Sequence, residues 1–206
     1  MFNSGISVNE LVDELINTEV DIALDIPKST YVSWLNSLQQ LIYSEIIKEQ
    51  KKLTIATSDS PIKFSEIAEA QETGESGMRF EDIHTVYTQN DIQLIKSTLT
   101  SGNIFPNTYF KENNGIGFNT TDKSDELTII YFVRPALVTV TEKDEINDAN
   151  VMIPVEFIDL AKSKLRGEAY KLANEDNLAA KWINDYNVLL ETFKAWITSR
   201  ASSLGM

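Results

Sequence analysis

The sequence predicts an α+β fold: a bundle of three to four helices with an inserted antiparallel β region. Three observations lead there. Early in the chain Tyr31, Trp34, Leu35, Leu38, Leu41, Ile42 and Ile46 recur at the helical period. Late in the chain Leu178, Ala179, Trp182, Ile183, Tyr186, Leu189, Leu190, Phe193, Trp196 and Ile197 do the same. From Leu53 to Thr141 the pattern changes to short β-branched and aromatic runs separated by turn residues. Two broad apolar stripes bury most simply against each other and against a shorter first helix. The expected divisions are residues 1–52, N-terminal helices of the bundle; 53–150, the inserted β region; and 151–206, the C-terminal helices and tail.

Ser7 followed by Glu10 forms a capping box, which predicts a helix over 8–18 with Leu11, Val12, Leu15 and Ile16 inward. Pro27 interrupts regular structure, and Ser29 or Thr30 is the expected cap of a second helix reaching residue 50. Strands are expected at Leu53 to Thr57, Ile62 to Ile67, Arg79 to Thr88, Ile92 to Leu99, Thr108 to Lys111, Gly115 to Phe118 and Leu127 to Val133. Glu112-Asn113-Asn114-Gly115 reads as a hairpin turn because Asn and Gly accept positive φ. Residues 71–77 have loop composition. Arg134-Pro135 ends the last strand, since Pro donates no N–H to a ladder. After an acidic stretch, Glu142 to Asp148, Ile153-Pro154 opens a helix over 154–172, and a last helix runs over 175–199. Trp34 and Trp182 are expected in the helical core.

The net charge of −13 argues against a groove that grips nucleic acid, because such binding rests on Lys and Arg neutralising phosphates. Charge is uneven along the chain. Residues 1–50 hold eight acidic residues against two lysines, whereas 151–206 hold seven of each sign. Between Glu10 and Asp25 there are six acidic residues and no basic one. The absence of cysteine removes disulfides and thiolate metal sites. Met1 to Glu10 has neither the basic nor the apolar region of a signal peptide, and no run approaches the length of a membrane span.

Catalytic chemistry finds little support. His84 is the one histidine, so a triad or zinc site has a single imidazole to draw on. Strand alternation places Asp82, His84 and Val86 on one face, which makes an Asp82/His84 pair geometrically available. Gly115-Ile116-Gly117 lacks the third glycine of a dinucleotide fingerprint and lies in a hairpin. No spacing singles out two of the 31 carboxylates as an acid/base pair. Lys162, Lys164, Arg166 and Lys171 form the nearest approach to a basic cluster, interleaved with Asp159 and Glu168 and without an aromatic ladder. No catalytic residue, cofactor or metal is expected.

The strand Leu127-Thr128-Ile129-Ile130-Tyr131-Phe132-Val133-Arg134-Pro135 and the helix start Ile153-Pro154-x-Glu156-Phe157 belong to a longer composite pattern. Ala169-Tyr170, Asn174-Glu175, Ala180-Lys181-Trp182 and Tyr186-Asn187 continue it. With the early helix Tyr31-Val32-Ser33-Trp34-Leu35-Asn36, this pattern resembles the tailed-bacteriophage head-to-tail adaptor proteins. The resemblance implies a non-enzymatic virion protein, made in the host cytoplasm, that forms a ring, typically a dodecamer, under the portal. In such a ring the helices build the body, the β region faces neighbouring subunits or the next tail protein, and the C-terminal segment reaches toward the portal. DNA passes through without sequence-specific binding, and an acidic lumen suits that passage because it repels phosphate. Expected partners are the portal, the tail or neck proteins and further copies of the chain, with no membrane. The alternative is a carboxylate-based hydrolase or carbohydrate-binding module using the β region.

Overall fold

The computed structural model describes residues 2–18, 26–56, 62–74, 78–98, 105–112, 114–121, 125–147 and 149–203. The chain divides into two units: Met1–Ile47 together with Pro135–Met206, and Lys48–Arg134. The divisions expected from the sequence stood at 52/53 and 150/151.

The first unit is helical. Helix α1, Val8–Thr18, starts at the expected capping box. The Glu10 N–H donates to Ser7 Oγ at 3.1 Å, and the Ser7 N–H donates to the Glu10 carboxylate at 2.9 Å. Helix α2, Lys28–Leu41, has Pro27 rather than Ser29 or Thr30 at its N-cap, with no side-chain cap. Its fixed φ suits the position, and the Pro27 carbonyl accepts the Thr30 N–H at 3.0 Å. The α-helix expected to reach residue 50 ends at Leu41, and a π-helical turn, Ile42–Ile47, follows. Three amides on α2 then hold later, extended chain. Gln40 donates to the Pro135 carbonyl at 2.8 Å. Asn36 brackets Val138, donating to its carbonyl at 2.8 Å and accepting its N–H at 3.0 Å. Gln39, buried, accepts the Met152 N–H at 2.6 Å. Pro135, Val138 and Met152 are thus tied to α2, and Val140↔Ile146 is a bridge in the chain between them. A 3-10 turn, Val155–Phe157, leads into α4, Ile158–Leu172, and α5, Asp176–Ser203.

Among its described residues the second unit is a seven-stranded sheet with one helix. Its strands are β1 Gln50–Ala56, β2 Ile62–Lys63, β3 Met78–Thr88, β4 Gln93–Ser97, β5 Thr108–Glu112, β6 Gly115–Asn119 and β7 Glu126–Pro135. Their order is β1-β7-β3-β4-β5-β6-β2. On β7 the alternation is regular: Leu127, Ile129, Tyr131 and Val133 are buried and their neighbours are not. Hairpin β5–β6 pairs Glu112 with Gly115, as the turn composition predicts. Helix α3, Phe64–Gly74, packs on β3 in mid-sheet and also on β2 and β6 at the far end, which a curled sheet permits. Among the described side chains Ile67 and Gln71, one turn apart, are its buried ones, and the Tyr131 hydroxyl donates to Gln71 at 2.8 Å.

The expected fold is corrected here. The molecule is not a three- to four-helix bundle with a small antiparallel insertion. Among the described residues it has five helices and a curled, mixed seven-stranded sheet that forms a half-barrel and makes up a large share of the fold. The sheet is mixed because β4 and β5 run parallel, Ile95 opposite Thr108. The chain expected as a strand at 62–67 and a loop from 71 is mostly α3, since Phe64, Ile67 and Gln71 follow the helical step. The late helix packs chiefly on α4, while α2 packs on α1 and α4. Trp34 and Trp182 are half-buried rather than core residues.

Candidate interaction surface on the helical hairpin

Helices α4 and α5 form a hairpin whose turn is set by Asn174. Asn174 adopts φ 60°, a left-handed conformation that Asn tolerates at a helix C′ position. The Glu175 N–H donates to the Tyr170 carbonyl at 2.9 Å and the Asn174 N–H to the Lys171 carbonyl at 3.2 Å, the paired bonds of a Schellman cap. Gly167 lets the helices approach: a Cβ there would stand 3.1 Å from Ile183 Cγ1 and 3.4 Å from its backbone nitrogen.

Helix α5 is 28 residues long, yet its buried side chains among those described are Ala179, Tyr186 and Phe193, seven residues apart. Phe193 meets Phe157 at 4.9 Å between ring centroids, and Trp196 stacks at 6.0 Å. Burial pushes the Tyr186 hydroxyl pKa up, with Glu168 adding to the effect and Lys164 and Lys194 opposing it. Trp182, Leu189, Leu190, Trp196 and Ile197 of the apolar stripe are half-buried, and several apolar side chains of the hairpin are exposed. Leu178 is 41% exposed, Ile183 37%, Val188 59%, and Leu172 at the end of α4 57%. Leu178, Ile183 and Val188 stand five residues apart and so lie on different sides of α5.

Three of the four cations of the expected cluster are engaged locally. Lys162 pairs with Glu14 of α1 at 2.6 Å and Lys164 with Glu168 at 2.5 Å. Arg166 lies over the Trp182 ring at 4.7 Å and donates to Thr18. The structure therefore does not gather Lys162, Lys164, Arg166 and Lys171 into a phosphate-binding row. Acidic α1 is likewise partnered: Glu10 serves the cap, Asp13 pairs with Lys28 at 2.8 Å, and Glu14 holds Lys162. The Ser7 N–H and hydroxyl lower the Glu10 pKa. The remainder of the acidic stretch, residues 19–25, lies outside the described residues.

In the sheet, Asp82 and His84 do not form a pair. The Asp82 carboxylate accepts from Lys111 at 3.0 Å and from the Ile83 N–H at 2.8 Å, while exposed His84 packs its ring on Phe132 at 5.0 Å. Burial acts to raise the Asp82 pKa, but the Lys111 and Ile83 hydrogen bonds with the charges of Lys111 and Lys96 bring it below the usual value. Gly115 serves packing, because a Cβ there would stand 2.3 Å from the Ile62 carbonyl oxygen. Among the described residues no group of three His, Cys, Asp or Glu is placed to hold a metal, and no helix is long and apolar enough to cross a membrane.

Helical periodicity marks most of the α5 stripe but assigns it to the core, and it passes over Leu172 and Val188. Val188 stands outside the apolar stripe and gives no periodic signal. No protein-family model and no curated protein matches the chain.

Proposed function

We propose that this chain is a structural, non-enzymatic head-to-tail adaptor of a tailed bacteriophage. It forms a ring, typically a dodecamer, under the portal, joins capsid to tail in the neck of the virion, and lets the genome pass. The observation that carries this reading is the long α4–α5 hairpin at the end of the helical unit. The same hairpin holds Asn174-Glu175, Ala180-Lys181-Trp182 and Tyr186-Asn187, the segments that resemble the adaptor family.

Two further observations are consistent with passage of DNA without binding. The net charge is −13, and Lys162 and Lys164 spend their charge on carboxylates of the same chain. The acidic segment from Glu10 to Asp25 is proposed to lie nearer the lumen than the charge-balanced C-terminal helices. Imaging the full-length protein mixed with the portal encoded alongside it tests the reading. A closed ring beneath the portal is expected; hydrolysis of a polysaccharide that disappears on substituting a carboxylate of the sheet would instead favour an enzyme.

A further inference from the structure

Between α4 and α5 lies a cavity of about 500 Å3 that the helix packing does not fill. Asp159, Lys162 and Arg166 line it from α4 and Trp182, Asp185 and Leu189 from α5, each row at steps of three and four, so the two helices face each other across it. Its cations are already engaged. Lys162 pairs with Glu14 of α1, and Arg166 donates to Thr18 and, with Lys181, lies over the Trp182 ring. Its carboxylates are not: among the described residues neither the Asp159 nor the Asp185 side chain has an ion-pair or hydrogen-bond partner. Ser163 is a separate observation. It is 4% exposed, it lines the same cavity, and its hydroxyl makes no hydrogen bond among the described residues. A hydroxyl withdrawn from water without a partner is costly, which makes this one an acceptor waiting for a donor.

Charge and donor count decide what fits. An anion would have to approach two open carboxylates in a chain of net −13. A metal ion lacks a third carboxylate or imidazole here among the described residues. An ammonium group carries three N–H donors and no acceptor, which matches three open oxygen acceptors. Its hydrogen bonds to carboxylates are charge-assisted, about twice as strong as neutral ones. Val188 and Leu189 add apolar wall on which an alkyl stem can lie while its charged end meets the carboxylates.

We propose that this cavity binds an alkylammonium group, with Asp159, Asp185 and the Ser163 hydroxyl accepting its N–H donors and its methylenes against Val188 and Leu189. The group belongs to a free polyamine or to the lysine side chain of a partner. The site does not depend on the ring reading above. Isothermal titration calorimetry of the full-length protein with spermidine and, separately, with Nα-acetyl-lysine amide tests it at constant ionic strength. Binding of one probe molecule per chain is expected. D159N and D185N should each weaken it at least about tenfold, the effect of losing a charge-assisted hydrogen bond, and S163A about threefold. E142Q, at an exposed carboxylate of the acidic stretch, should leave it unchanged. The three cavity positions have no side-chain partner to lose, so these variants should keep the wild-type circular dichroism spectrum. Spermidine bound about tenfold or more tightly than the lysine derivative assigns the cavity to a free polyamine, and equal affinity assigns it to a lysine side chain. No binding of either probe overturns the proposal, as does binding indifferent to D159N, D185N and S163A. Binding weakened as much by E142Q as by D185N marks general charge attraction and overturns it too. Saturable binding of inorganic phosphate that K162A abolishes would make this an anion site and likewise overturn it.

Discussion

Replacing Gly115 by Ala tests the sheet at the point where its geometry is least forgiving. The added Cβ would meet the Ile62 carbonyl oxygen at 2.3 Å, its carbon at 3.0 Å and Lys63 Cα at 3.1 Å, all backbone atoms that cannot rotate away. Reaching ordinary contact requires β2 to move by about 1 Å against a close-packed interior. Overpacking of that kind costs about 1–3 kcal/mol. The other outcome is release of β2 from β6, which breaks the Ile62↔Ile116 and Lys63↔Gly115 pairing and uncovers Ile62, now 1% exposed. Re-exposing such a side chain costs about 1.5–3 kcal/mol and each lost hydrogen bond about 1 kcal/mol, so the strained sheet is the cheaper outcome and G115A should lose about 1–3 kcal/mol. Urea unfolding followed by far-UV circular dichroism measures it; the three tryptophans at 34, 182 and 196 all lie in the helical unit, so their fluorescence is the wrong probe. G167A is the control. Its Cβ meets a movable side-chain atom of Ile183, and Ala gains about 1 kcal/mol of helix propensity over Gly, so its midpoint should stay near wild type. An unchanged midpoint for G115A would refute the β2–β6 packing.

Phe193→Ala should cost about 3–5 kcal/mol, since Phe193 is fully buried against Phe157, whereas half-buried Trp182→Ala should cost clearly less by the same unfolding assay. Ser7→Ala removes the acceptor of the Glu10 N–H and should cost about 1 kcal/mol, read from the urea midpoint. Asp82 has a depressed pKa when folded, so its stabilising contribution is present above the unfolded carboxyl value, about 4, and is lost as pH falls through the folded value. Asp82→Asn should therefore lower stability at pH 7, and the gap to wild type should narrow toward pH 3; a gap independent of pH would contradict the Lys111 pairing.

Local signals in the sequence were legible where a residue pattern and its physical cause lie within a few positions. The Ser7/Glu10 box fixed the start of α1, the alternation of Leu127, Ile129, Tyr131 and Val133 marked β7, and the 112–115 turn produced its hairpin. The parallel step from β4 to β5 depends on which distant strands meet, and nothing local specifies that. Helix α3 was hidden because Ile62 to Ile67 suits a strand as well as a helix, and only burial of Ile67 and Gln71 under the curled sheet decides between them. For the candidate surface, periodicity identified an apolar stripe on α5 but not how much of it α4 covers. The width of that cover is set by the Gly167 contact, and a stripe wider than its cover is what leaves Leu178 and Ile183 exposed.

The central claim is that this chain assembles as a ring on a portal. Electron microscopy of the full-length protein mixed with the portal encoded alongside it tests that most directly. A closed ring of identical copies is expected beneath the portal, with the α4–α5 hairpins buried between neighbours or against the portal and an open central passage. Isolated monomers at one copy per portal ring, or no association with the portal at all, would contradict it.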